Sequence, residues 1–421
     1  MKIDKKVILY GLCEKTIFVE RALMPEYNII GYSDSFAEIE EYNNKPFYPV
    51  AGLAAIECDY IIVCLGNRMV FSEIRNILSD MGIDPDKILD IAALLKRQRI
   101  DAVMGIDAKK RCDGIILGCS HAAWGIDSHL LMGDCSNLAV NGEDIYYHFC
   151  VLKKAYDVYL PQIDDLKYAV IDLWDYPVFN LDLSMSSGLL QYFNSYGFME
   201  DLHNYSKNSL YKMDIDSEMQ AKNFYASLPS ERDKSIADAM FDMSYVRKSY
   251  DRFFRVHSLG NIRPTKSSLY WEYRVEDEYD TGISANVGFP HHGYLACTKT
   301  YYGETNTENK ETIRHICQLL KQVDPDLQIY FILMPRYVRI EDLHNDNLRM
   351  TKYKKEFLAE MARLKKEFGA KLLDFKQYKK ISSNPHFYRD EDHFNTFGAR
   401  AFTSLLCREM EKEFEFRRVL S

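Results

Sequence analysis

Apolar residues fall in two rhythms along this chain. Uninterrupted runs, KVILYGL at residues 6 to 12, YNIIGYSD at 27 to 34 and CDYIIVCLG at 58 to 66, alternate with amphipathic stretches such as MVFSEIRNILSDMG. Continuous runs suit parallel strands covered on both faces, and apolar residues spaced by three and four suit helices laid against them. With KILDI at 87 to 91 as one more short strand, residues 1–100 read as a small doubly wound α/β domain. Residues 101–112 then read as a charged linker.

The rhythm restarts at DGIILG and continues through the strand CSNLAV at 135 to 140, a helix over 143 to 159 and the strand YAVIDLW at 168 to 174. It breaks over roughly 185–295, where SERDKSIADAMFDMSYVRKSYDRFF and similar stretches predict a mostly helical insertion. It resumes with the helix ENKETIRHICQLLKQV, the strand QIYFILMP at 328 to 335, the helix TKYKKEFLAEMARLKKEFG, the strand KLLDF and a last helix from about 397. Residues 113–421 therefore form a second α/β domain with an insertion.

Composition narrows the class of function. A net charge of −9 argues against a nucleic-acid binder, which needs a basic stripe to neutralise phosphates. The 10 cysteines form no Cys-x-x-Cys pair and no zinc spacing, so they read as reduced thiols. No apolar run approaches the roughly 18 residues of a membrane span, and the N-terminus enters a strand without a signal-peptide core, so the expectation is a cytoplasmic protein.

Candidate chemistry lies at two strand ends and one loop. IILG followed by CSHAAWGI puts Ser120 where a parallel strand ends and a helix starts, with helix N–H groups pointing toward any negative charge formed there. SNLAVNGED is a second strand end, and the Gly142 N–H becomes a candidate oxyanion donor beside Ser120. In YRDEDHFNTFG, Asp390 stands three residues before His393, near enough to hold the imidazole while its other nitrogen faces a serine hydroxyl.

Jointly, LGCSHAAWGID, NLAVNG and DEDH resemble, in order and spacing, the SGNH or GDSL hydrolase superfamily, particularly its polysaccharide acyl-modifying and D-alanyl-lipoteichoic-acid transfer branches. The resemblance covers about 113 to 180 and 296 to 415 and implies a three-layer α/β/α domain with Ser120 as nucleophile, His393 as base and Asp390 orienting it. It also implies an oxyanion hole from the Ser120 and Gly142 N–H groups. The family's Gly-x-Asn-Asp block is missing: Asp175 and Tyr176 follow YAVIDLW, and Asn180 is the nearest substitute donor. Cys119 stands where the family usually has aspartate.

The first domain resembles the small Rossmann-like domains found with nucleotide-sugar and glycan-modifying enzymes. Its glycine turn retains Gly11 but lacks the second and third glycines, and Asp34 occupies the ribose-binding position, so a structural or docking role is expected and no cofactor is required. His121 reads equally as a substrate contact and as a helix-surface residue, His291 and His292 read as loop residues, and the aromatic stretch SLYWEYRVEDEYD at 268 to 280 as ordinary core. The reading is a Ser-His-Asp esterase or acyltransferase for O-acyl, first of all O-acetyl, groups of a glycan or glycan precursor. The alternatives are a binding or assembly protein that recruits glycan-biosynthesis enzymes, and a lipid esterase or thioesterase.

Overall fold

Parallel pairing organises both halves of the chain. The computed structural model describes residues 4–65, 68–97, 100–105, 111–140, 142, 144–181, 228–247, 249, 301–338, 341, 348–390 and 392–420. Two compact units emerge, one from the chain up to Arg97 together with a segment that includes 228–247, the other from the remainder.

In the first unit, β1 (Lys5–Tyr10), β2 (Tyr27–Ser33) and, past a small antiparallel pair β3 (Glu41–Tyr42) and β4 (Lys45–Pro46), β5 (Tyr60–Val63) and β6 (Ile88–Asp90) form the order β2-β1-β5-β6. Ile8, Tyr10, Ile61 and Val63 bury one face of this sheet against Ile74 and Leu78 of the helix Arg68–Asp80. The helix Glu231–Met240 belongs to this unit. Met24 N–H donates to the Met240 carbonyl (2.9 Å), Asp242 N–H donates to that of Ala22 (2.7 Å), and Leu23 bridges Phe241. The sequence placed this segment inside an insertion of the second domain, because a helical pattern carries no record of which unit it covers. The rest of that insertion, with the aromatic stretch at 268 to 280 and His291 and His292, lies outside the described residues.

In the second unit β7 (Gly114–Leu117), β8 (Cys135–Asn137), β9 (Tyr168–Asp172), β10 (Gln328–Leu333) and β11 (Lys371–Asp374) are all parallel, in the order β11-β10-β9-β7-β8. Alternate residues of the central strands enter different cores. Ile115, Leu117, Ile171 and Phe331 meet Leu152, Ile316 and Phe357 of three long helices, whereas Ile116, Val170 and Ile332 meet Ala122, Phe402 and Leu406 on the other face. Three layers follow, which is why these strands show no polar alternation. The expected linker is partly core: Ile100 and Met104, around a π-helical turn at Asp101–Gly105, are buried, as is Cys112, and Tyr159 Oη donates to Asp101 (2.6 Å). Apolar residues at 100, 102 and 104 outweigh the charges that flank them.

Counted within this unit, the strand order is 2-1-3-4-5, so the chain reverses direction between β7 and β9. Connections leaving those two strands diverge to opposite faces and open a crevice at their carboxyl ends, where doubly wound proteins bind ligands.

Candidate active site

Ser120 lies at that crevice. β7 ends at Leu117, Gly118 and Cys119 make the turn, and Ser120 opens the helix Ser120–Gly125. Glycine is demanded at 118 by close approach: a Cβ there would sit 2.7 Å from that of Ala122 and 2.8 Å from that of Asp172. Asp172, the last residue of β9, braces the turn by accepting the backbone N–H groups of Cys119 and Ala122 and the Cys119 thiol (3.5 Å). Its other oxygen accepts the N–H of Trp174 (3.0 Å), a residue held at a φ of 58° that bulky side chains rarely adopt. Burial pushes the Asp172 carboxyl up to about 6, against the opposing effect of those N–H groups and the thiol.

His393 arrives from the far end of the chain. The loop before the helix Thr396–Leu420 is held by a bridge between Tyr388 and Phe394, by Arg389 N–H donating to the His393 carbonyl (2.9 Å) and by Asn395 Nδ2 donating to that of His386 (2.7 Å). Asn395 Oδ1 then accepts the Gly398 N–H (2.9 Å) as a helix cap, and Tyr388 Oη anchors the loop to the Pro335 carbonyl behind β10 (3.2 Å).

So held, His393 Nε2 lies 2.8 Å from Ser120 Oγ, and His393 Nδ1 lies 2.9 and 3.1 Å from the two oxygens of Asp390. Asp390 Oδ1 also accepts the N–H groups of Asp392 (3.0 Å) and His393 (2.8 Å). Partial burial opposes its ionisation, but the imidazole and the two N–H groups prevail and hold the carboxyl well below the usual carboxylate range. An ionised Asp390 makes Nδ1 the donor, which leaves Nε2 to accept the serine proton.

Beside this dyad lies a buried ion network that sequence reasoning missed. Arg336, just after β10, donates to Asp175 (2.7 Å) and Glu341 (3.0 Å) and lies 3.9 Å from Asp392, the neighbour of His393. Lys376, just after β11, pairs with Asp175 and with Glu341 (3.1 Å). The network joins the loops that leave three adjacent strands. Burial disfavours a charged Asp175, yet Lys376 and Arg336 outweigh it and hold its carboxyl well below the ordinary range. The only signal in the chain is that charged residues directly follow continuous apolar strands.

Other expected residues fall in different places. Gly142 turns with a φ of 73° and is exposed in the connection after β8, which runs beside the Ser120 turn because Val140 N–H donates to the Gly118 carbonyl (3.0 Å). Asn180 is no oxyanion donor: its amide donates to Tyr353 Oη (3.1 Å) and accepts the Tyr302 N–H (2.7 Å) inside the helical layer. The five-residue turn Tyr176–Asn180 carries it away from the strand end. His121 is buried rather than on a helix surface, at 7% exposure. Its ligand atom, with those of Cys119 and Asp172, lies in a group within 4.8 Å of one another, which would admit a shared ion. Hydrogen bonds already account for the cluster, since the carboxylate is filled by backbone N–H groups and the thiol.

In the first unit Asp34 accepts the N–H groups of Leu12 (2.9 Å) and Phe36 (2.8 Å), so its carboxylate ties down the glycine turn. Gly11 has a φ of 91°, and the space its missing Cβ leaves is taken by Leu65, 2.8 Å from that position. Neither residue is arranged for a dinucleotide: the carboxylate is engaged and the close-approach position is filled.

Burial also makes the second unit acid-sensitive. His148, buried in the helix Ile145–Ile163, is pushed down to about 3, and burial followed by the nearby His393 and Arg336 charges holds His121 well below 6.5. Below pH ~6.5 the unfolded chain protonates both histidines while the folded chain does not, which destabilises the fold. Asp172 acts oppositely: it is protonated in the folded chain below about 6 but in the unfolded chain only below 3.8. Two histidines against one carboxylate leave the unfolded state the richer in protons. Stability is therefore expected to fall as pH drops below about 6, read as a falling urea midpoint by tryptophan fluorescence. A flat or rising midpoint would contradict the buried-histidine account.

Compared with protein-family models and with curated proteins, the chain matches none. Among the described residues no helix is long and apolar enough to cross a membrane.

Proposed function

We propose that the second unit is an SGNH-type serine esterase or acyltransferase that acts on O-acyl groups, O-acetyl foremost, of a glycan or glycan precursor, and that the first unit is a Rossmann-like domain with a structural or docking role. One observation carries the catalytic reading: Ser120, His393 and Asp390 form a continuous hydrogen-bonded chain across 273 residues, at a crevice where the sheet opens.

In the reaction, Ser120 Oγ attacks the acyl carbonyl as its proton passes to His393 Nε2. Asp390 stabilises the resulting imidazolium through Nδ1. The oxyanion is met by the Ser120 N–H, which as the first helical residue has no intrahelical acceptor, and by the Gly142 N–H. His393 then returns its proton to the departing sugar oxygen and leaves an acyl-serine. Water or another sugar hydroxyl, deprotonated by the same nitrogen, releases the acyl group. The glycan substrate class rests on the resemblance of LGCSHAAWGID, NLAVNG and DEDH to acyl-modifying relatives.

A second reading, a binding or assembly protein, draws on the engagement of Asn180 elsewhere, which leaves the oxyanion hole one side-chain donor short. Loss of such a donor costs about 10²–10³ in kcat. Hydrolysis of p-nitrophenyl acetate separates the readings. Turnover by the folded wild type that disappears in both Ser120→Ala and His393→Ala supports the esterase. Turnover that survives both substitutions overturns it, and a folded wild type without turnover favours the binding protein.

A further inference from the structure

Behind the base lies a residue that the mechanism above does not use. The imidazole of His121 stacks on that of His393, with ring centroids 4.9 Å apart and planes inclined by 19°. Directly after Ser120 in the chain, His121 is buried, whereas His393 is partly open to the crevice. One ring therefore backs the other.

Hydrogen bonds set the rotation of the backing ring. The Cys119 thiol donates to Asp172 (3.5 Å), so its sulfur accepts from His121 Nδ1–H (3.3 Å). His121, Cys119 and Asp172 thus form a chain that ends on β9, the strand that also braces the nucleophile turn. Nε2 of His121 finds no hydrogen-bond partner among the described residues. A buried nitrogen in that state costs stability, which an apolar ring of the same shape would avoid. Packing alone therefore does not explain this histidine.

Resting on the esterase reading, we infer that His121 is a positioning residue: its ring is the wall that keeps the His393 imidazole in line with Ser120 Oγ. His393 has no other ring stacked on it among the described residues; its ring nitrogens are held by Asp390 at Nδ1 and meet Ser120 at Nε2, an arrangement in which the ring can still tilt about the Asp390 contact. Tilt moves Nε2 away from the serine hydroxyl, and a displacement of about 1 Å in such a contact costs on the order of 10²-fold in rate. Burial holds His121 neutral, so it adds no second positive charge against the imidazolium formed in the reaction.

The test compares wild type, His121→Ala and His121→Phe on p-nitrophenyl acetate, with urea unfolding of each. Phenylalanine keeps the wall and loses only the tether to Cys119. Expected is a kcat drop of about 10- to 100-fold in His121→Ala with KM within about two-fold, and a kcat within about five-fold of wild type in His121→Phe, whose urea midpoint is equal or higher. A residue that merely stabilises the fold would shift the midpoint and leave kcat alone. Wild-type kcat in His121→Ala, or a Phe variant as impaired as the Ala variant, overturns the inference. Should the wild type show no turnover, the esterase reading has failed. Nuclear Overhauser contacts between the two labelled imidazoles, and His393 ring resonances that shift and broaden in His121→Ala, then support the wall; unchanged His393 resonances overturn it.

Discussion

Asp390→Asn is expected to lower kcat for p-nitrophenyl acetate by about 10⁴-fold while the protein stays folded and KM hardly moves. Asp390 accepts the Nδ1–H of His393, and that acceptance alone keeps Nε2 unprotonated toward Ser120 Oγ, 2.8 Å away. An asparagine amide can instead turn its NH₂ group toward Nδ1. The ring then carries its proton on Nε2, which donates to Ser120 Oγ and can no longer take the proton of that hydroxyl. Because geometry is almost unchanged, the loss comes from the tautomer and not from misplacement. Asp390→Asn should lower the urea midpoint, because the folded chain holds this carboxyl well below its usual range and loses that stabilisation with the charge, and its residual activity should exceed that of His393→Ala. Near-wild-type kcat in Asp390→Asn would show that Asp390 does not orient the base. The result would also separate this loop from Asp172, the buried carboxylate that braces the other side of the site.

The largest expected effect on stability is at Arg336. Replacing it with methionine keeps much of the side-chain length but leaves Asp175 and Glu341, both buried, with Lys376 as their single cation. Removing one member of a buried ion cluster strands uncompensated charge, at a cost of about 3–5 kcal/mol. The loss reaches the site as well: Arg336 lies 3.9 Å from Asp392, next to His393 in the same loop. Arg336→Met should therefore show a lower urea midpoint and a lower kcat together. The control is Lys153→Ala, which breaks an exposed helical pair with Asp157 and should change stability by no more than about 0.5 kcal/mol. Equal effects from the two substitutions would refute the network's importance.

Much of this architecture was legible in the chain because burial periodicity is a local property. A strand covered on both faces is apolar along its length, and β7, β9 and β10 are, apart from Asp172 at the end of β9 and Gln328 at the start of β10, so their places could be read within two or three residues. Asp390 and His393 could be paired for the same reason: three residues apart in a tight loop, they meet whatever the rest of the fold does. Tertiary structure alone decided what depends on which strand ends become neighbours. β7 beside β9 puts Asp172 under the Ser120 turn, and β9, β10 and β11 in succession bring Asp175, Arg336 and Lys376 into one buried cluster. Asn180 and the helix Glu231–Met240 were assigned wrongly from sequence because an amide or an amphipathic face does not encode its partner. The sequence thus determined the elements and the chemistry each could carry, whereas contacts across hundreds of residues, set by strand order and burial, decided which of those residues meet.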